Sequence, residues 1–162
     1  MRGYPGKHVA PPLAVRRALE GIFGGAAARI EQVRVIEHSL FVRLHGRAIA
    51  TTRRRRIYLR GSAADFFGNP ALMLHEYCHV LLQWETGSLT TLRYLRECLR
   101  HGYWNNGFEV EARDFAREHV LRLRELLGPA ALSQGPSDSR RALNLLEVVR
   151  KMTPRSERAR RD

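Results

Sequence analysis

Two cysteines, Cys78 and Cys98, are all that the 162 residues contain, too few for a disulfide framework. A reducing compartment fits that usage, and Cys78, set in an apolar run, reads as a small buried thiol. Lysine is equally scarce: Lys7 and Lys151 are the only two, so nearly all the positive charge is arginine. No stretch reaches the roughly 18 apolar residues that span a bilayer, and the segment from Met1 to His8 lacks the apolar core of an export signal. A cytoplasmic protein without a transmembrane segment is expected, with export left to a non-classical route. The sequence has no internal repeat, zinc-finger spacing, RNP-like motif or helix-turn-helix pattern, so nucleic-acid binding would rest on charge alone.

That charge is large. Twenty-eight Lys and Arg against sixteen Asp and Glu give a formal +12, a field that attracts polyanions, an acidic protein partner among them. Hydrophobic residues at 44% and charged residues at 27% exclude disorder throughout and fit one domain with a real core. We divide the chain into a flexible arm over 1–12, a folded domain over 13–132 and a basic tail over 133–162. Within the tail, 140–152 is patterned for a short amphipathic helix.

Gly3, Pro5, Gly6 and Pro11-Pro12 break any regular pattern in the arm. Leu13, Val15, Leu19, Ile22 and Phe23 approximate helical spacing, with Gly24-Gly25 as a stop. Short β-rich pieces follow at 33–36, 40–44, 48–52 and 56–59, separated by turn chemistry, and predict a small sheet. Arg53 to Arg56 reads either as a hairpin guarded by charge or as a polyanion contact. Asn69-Pro70 opens an almost wholly apolar helix over 71–84. A second helix is expected over 89–100, a loop over 101–107, and a long helix over 108–127 closed by Gly128-Pro129.

The central helix carries His75-Glu76-Tyr77-Cys78-His79. Residues four apart share a helix face, so His75 and His79 present two imidazoles to one point with Glu76 beside them. Imidazoles at this spacing bind zinc, and the adjacent carboxylate can take a proton from metal-activated water. Leu72, Met73, Leu74, Val80, Leu81, Leu82 and Trp84 leave the helix no fully polar face, so it must be buried. Buried His75, Glu76 and His79 then need partners, which zinc supplies directly; the plainer alternative is two hydrogen-bonded core histidines and an ion-paired Glu76.

A catalytic zinc site takes three protein ligands and keeps one open position. The downstream candidates are His101, Glu109, Glu111, Asp114, Glu118 and His119. Glu109 shares a helical face with Ala112, Ala116, Val120, Leu123 and Leu127, whereas Glu111 falls with Asp114, Glu118, Arg122 and Glu125. We therefore expect Glu109 as third ligand, then Glu111, then His101. Ala112 and Ala116 would allow close helix approach. Asp114 is a candidate for orienting a ligating histidine, Tyr103 and His119 for stabilising an oxyanion, and Gln83 for lining the cleft or serving as a polar bridge.

The order Leu13–Gly24, Val33-Arg-Val35, Gly46–Thr52, Ile57-Tyr-Leu59 and Leu74–Val80 with Gln83 resembles the zincin domain of effectors and core components of bacterial extracellular contractile injection systems. Asn106–Ala112 is similar to the glutamate motif of related zincins, and the resemblance spans about residues 13 to 116. It implies zinc and an α+β, peptidase-like fold, with a small N-terminal sheet packed on the buried HExxH helix and a glutamate-bearing helix. In such a fold the strand ending near Leu59 could pair with an extended peptide. Two features depart from the pattern: Gln83 follows the second histidine one position late, and Arg113-Asp114 reverses the commoner acidic-then-basic order.

The expected function is a bacterial zinc metallopeptidase acting on a peptide or protein substrate, with His75, His79 and Glu109 on the metal and Glu76 as general base. A noncatalytic zinc-stabilised interaction module is the alternative. A polyanion- or nucleic-acid-binding protein ranks third.

Overall fold

The computed structural model describes residues 6–43 and 49–132. The expected tail over 133–162, with its helix at 140–152, lies outside the described residues, as do residues 1–5 and the turn at His45-Gly46.

Helix α1 (Leu13–Phe23) buries Val15, Ala18, Leu19 and Phe23 and ends at Gly24, whose φ of 48° lies in the left-handed region that glycine tolerates best. A 3₁₀ segment (Gly24–Gln32) buries Ile30 and leads to strand β2 (Arg34–Glu37). Strands β3 (Ala50–Arg53) and β4 (Arg56–Leu59) form a hairpin. Helix α3 (Ala63–Phe67) is capped by Ser62, and α4 (Pro70–Cys78) continues into a π-helical turn over His79–Trp84. Helices α5 (Thr91–His101) and α6 (Gly107–Leu132) complete the order among the described residues, α6 kinking at Gly128.

With strand β1 (Lys7–Val9), the described residues form a mostly helical α+β fold with one four-stranded sheet, ordered β1-β2-β4-β3. Strand β2 pairs parallel to β4, and the outer pairings are antiparallel. Val35, Ile57 and Leu59 from the sheet join Leu19, Ile30, Phe66, Met73, Leu74, Tyr77, Leu81 and Leu123 in one continuous core. Burying that apolar surface at about 25 cal/mol per Å² supplies the main favourable free energy of the fold.

Lys7–Val9 and Leu40–Arg43 depart from the sequence reading. Lys7–Val9, expected within a flexible arm, is strand β1, with Lys7 opposite Glu37 and Val9 opposite Val35. Three residues carry no legible periodicity, and the pairing is long-range; Gly6 permits it, because a Cβ there would sit 2.6 Å from Ile36 Cγ2. Leu40–Arg43, expected as strand, is a short helix, α2. The slots on either side of β2 are already filled by β1 and β4. The chain instead turns at Ser39, whose Oγ accepts from Phe41 N–H at 3.2 Å, and Phe41 packs on Tyr58.

The arginine run resolves into a hairpin, with Arg54 and Arg55 at its turn. Arg53 donates to Thr91 Oγ1 at 2.7 Å and lies over the rings of Phe41 and Trp84, while Arg54 and Arg55 face Glu85. Helix α5 turns Tyr94 and Cys98 inward and leaves Leu92, Leu95 and Leu99 exposed.

Candidate metal centre

Two local signals fix where α4 begins. Asn69 Oδ1 accepts from Leu72 N–H at 3.1 Å, and Pro70 takes the first helical turn, where no N–H is needed. The histidines follow on the side of α4 that meets α6. There His75 Nε2 and His79 Nε2 stand 3.1 Å apart.

Glu109, from the first turn of α6, closes the group. Its Oε2 is 3.4 Å from His75 Nε2, and its Oε1 is 3.6 Å from His79 Nε2. The buried stripe on α6 is Glu109, Ala112, Ala116, Leu123 and Leu127, and the two alanines let the helices come close enough for a short carboxylate to reach. His75 keeps 19% of its side chain exposed against 6% for His79 and Glu109, so the cluster meets solvent at His75.

Electrostatics tie the group together. Burial alone would raise the Glu109 carboxyl, but the facing imidazoles hold it well below the usual carboxylate range. Burial opposes a charged His79, and the neighbouring Glu109, Glu76 and Gln83 more than offset it, so its pKa is raised. Glu76 is buried beside them; desolvation pushes its carboxyl up, against the pull of both histidines. A carboxyl raised by burial is suited to holding and passing on a proton.

His75, His79 and Glu109 form a set of three groups that could hold a metal ion, their donor atoms all within 4.8 Å of one another. Glu109 Oε2 is buried with no hydrogen-bond partner, an arrangement that normally costs about 1–3 kcal/mol or more for a charged group. Two donors 2.0–2.1 Å from a tetrahedral zinc lie about 3.3–3.4 Å apart, close to the 3.1, 3.4 and 3.6 Å found here. Two imidazoles and a carboxylate also suit zinc chemically.

The remaining sequence candidates stand outside this group of three donors. His101 is exposed, 3.9 Å from Glu97. Asp114 pairs with Arg117 at 2.7 Å instead of orienting a histidine. His119 stacks edge-on to Phe115, and Glu118 is exposed. Tyr103 is half exposed and packs against Trp104, yet it also borders the cluster: burial first, then the neighbouring Glu109 carboxylate, raises its hydroxyl. Glu111 is exposed and accepts from Gln83 Nε2 at 2.8 Å. Gln83 is the polar bridge: its Oε1 lies 2.7 Å from His79 Nδ1, and its Nε2 also donates to Phe108 O at 3.0 Å.

Tyr94 escaped the sequence reading. Its hydroxyl donates to Glu109 Oε1 at 2.8 Å across the loop between α5 and α6. The available signal was the i, i+4 pair of Tyr94 and Cys98, which marks the inward face of α5. Comparison with known proteins finds nothing that matches: no family model, no curated protein and no solved structure.

Proposed function

We propose that this protein is a zinc-dependent metallopeptidase with a zincin-like fold. The observation that carries the reading is the convergence of His75, His79 and Glu109 from two helices on an orphaned carboxylate oxygen, with buried Glu76 alongside. Zinc, when held there, supplies Lewis acidity to the attacking water and the scissile carbonyl. Glu76 accepts the proton of that water and delivers it to the departing amine. Tyr94 holds one oxygen of Glu109, and the exposed flank of His75 marks the side from which a substrate enters. The resemblance to contractile-injection-system zincins belongs to the same proposal.

A noncatalytic zinc-stabilised interaction module is favoured by one observation, the leucine face of α5 that nothing covers among the described residues. The polyanion reading draws little from Arg53, Arg54 and Arg55, which are engaged with Thr91 and Glu85.

The test is Glu76→Gln. It should retain zinc and fold yet lose about a hundredfold to ten-thousandfold in hydrolysis, measured on peptides identified by a proteome-wide cleavage screen. Equal cutting by the variant rejects the mechanism. A wild type that binds zinc and cuts nothing favours the interaction module.

A further inference from the structure

We propose that Glu111 and Gln83 form a relay that fixes the tautomer of His79, with the Nδ1–H form holding Nε2 free toward the donor cluster. Glu111 is thereby a positioning residue although it is exposed and reaches no donor atom of the cluster itself.

The neighbours of the Gln83 amide fix its orientation. Gln83 Nε2 faces two groups, the Phe108 carbonyl at 3.0 Å and the Glu111 carboxylate at 2.8 Å. Neither can donate, so the amide end turned to them must be the NH₂. Its oxygen is therefore the atom 2.7 Å from His79 Nδ1. An amide oxygen only accepts, so Nδ1 carries the hydrogen. A neutral imidazole has one N–H, which leaves the lone pair on Nε2, aimed at His75 Nε2 and Glu109.

Burial makes this orientation binding. Gln83 is fully buried, and reversing its amide would set an oxygen against both the Glu111 carboxylate and the Phe108 carbonyl. The charge of Glu111 makes that reversal worse than a neutral acceptor would. The π turn also contributes. A turn closed by i→i+5 bonds takes up one residue more than an α turn, so Gln83, four positions past His79, stands near the angular place of a residue three past it in an α-helix. From there it reaches back to His79 and across to α6 at once.

The orientation of Gln83 is independent of any metal; the effect of the tautomer on zinc rests on the metallopeptidase reading. Both are measurable. In metal-free, ¹⁵N-labelled protein at a pH where the imidazole is neutral, long-range ¹H–¹⁵N NMR should show His79 as Nδ1–H. Gln83→Leu should move it toward the Nε2–H form that a free histidine side chain prefers. Glu111→Ala should do so in part, and Glu111→Gln, which keeps an acceptor, should restore it. Zinc affinity should fall about tenfold to a hundredfold in Gln83→Leu with one site retained.

A wild type in the Nε2–H form overturns the relay, as does a tautomer unchanged in both Gln83→Leu and Glu111→Ala. Should Gln83→Leu fail to fold, the exposed Glu111→Ala position decides. If the tautomer pattern holds but the wild type binds no zinc, the metal reading falls and the relay stands.

Discussion

At Glu109 two demands meet. Burial opposes an ionised carboxylate, while two imidazoles at 3.4 and 3.6 Å and the Tyr94 hydroxyl at 2.8 Å keep it charged. Glu109→Ala should lower zinc affinity by more than the roughly tenfold to hundredfold typical of an outer partner, and Glu111→Ala by no more than that range; competitive zinc titration of both variants compares them. A second residue-scale expectation concerns the thiols. Burial pushes Cys78 up to about 12, with Glu111 adding to it, so a thiol reagent at neutral pH should label part-exposed Cys98 and leave Cys78 unmodified until the protein unfolds. Mass spectrometry of the labelled peptides reads both sites. The inward direction of Glu109 was legible because α6 keeps a regular 3.6-residue period over several turns. Tyr94 was not, since its partner lies 15 positions away across a loop whose path no local pattern sets.

Among the elements, α4 and α6 set the geometry, because their separation decides whether a glutamate can reach two histidines. Ala112, fully buried at that contact, is the spacer. Ala112→Leu should destabilise the fold by about 1–3 kcal/mol through overpacking and weaken zinc binding disproportionately by pushing Glu109 outward. Denaturant unfolding followed by zinc titration separates the two effects; an unchanged zinc affinity would show that α6 tolerates displacement without moving Glu109. The boundaries of α1 and β4 were readable from Gly24 and from a compact β-branched and aromatic run. The π turn was not, because 79–84 is apolar almost all round and gives no phase by which an extra residue could be detected. Strand β1 was equally hidden, its pairing supplied by Glu37, Ile36 and Val35 in β2 and not by its own three residues.

For the whole molecule, a bound ion at this position would bridge the middle of the sheet-and-helix core to the long helix α6. Zinc at about a thousand times its dissociation constant adds about 4 kcal/mol to the folded state, which for a domain of this size should raise the melting temperature by on the order of 10 °C. Thermal unfolding with zinc and with a chelator measures it, and coincident curves would show that no such bridge exists. No helix among the described residues is long and apolar enough to cross a membrane. The order of donors along the chain has a consequence in time. Glu109 follows His79 by 30 positions, so at about 5–20 residues per second of synthesis the histidines leave the ribosome some 2 to 6 seconds, in round terms, before their carboxylate partner. During that interval the HExxH helix has its apolar surface and its two imidazoles but no α6 to cover them, so the cluster is completed only late in the birth of the chain.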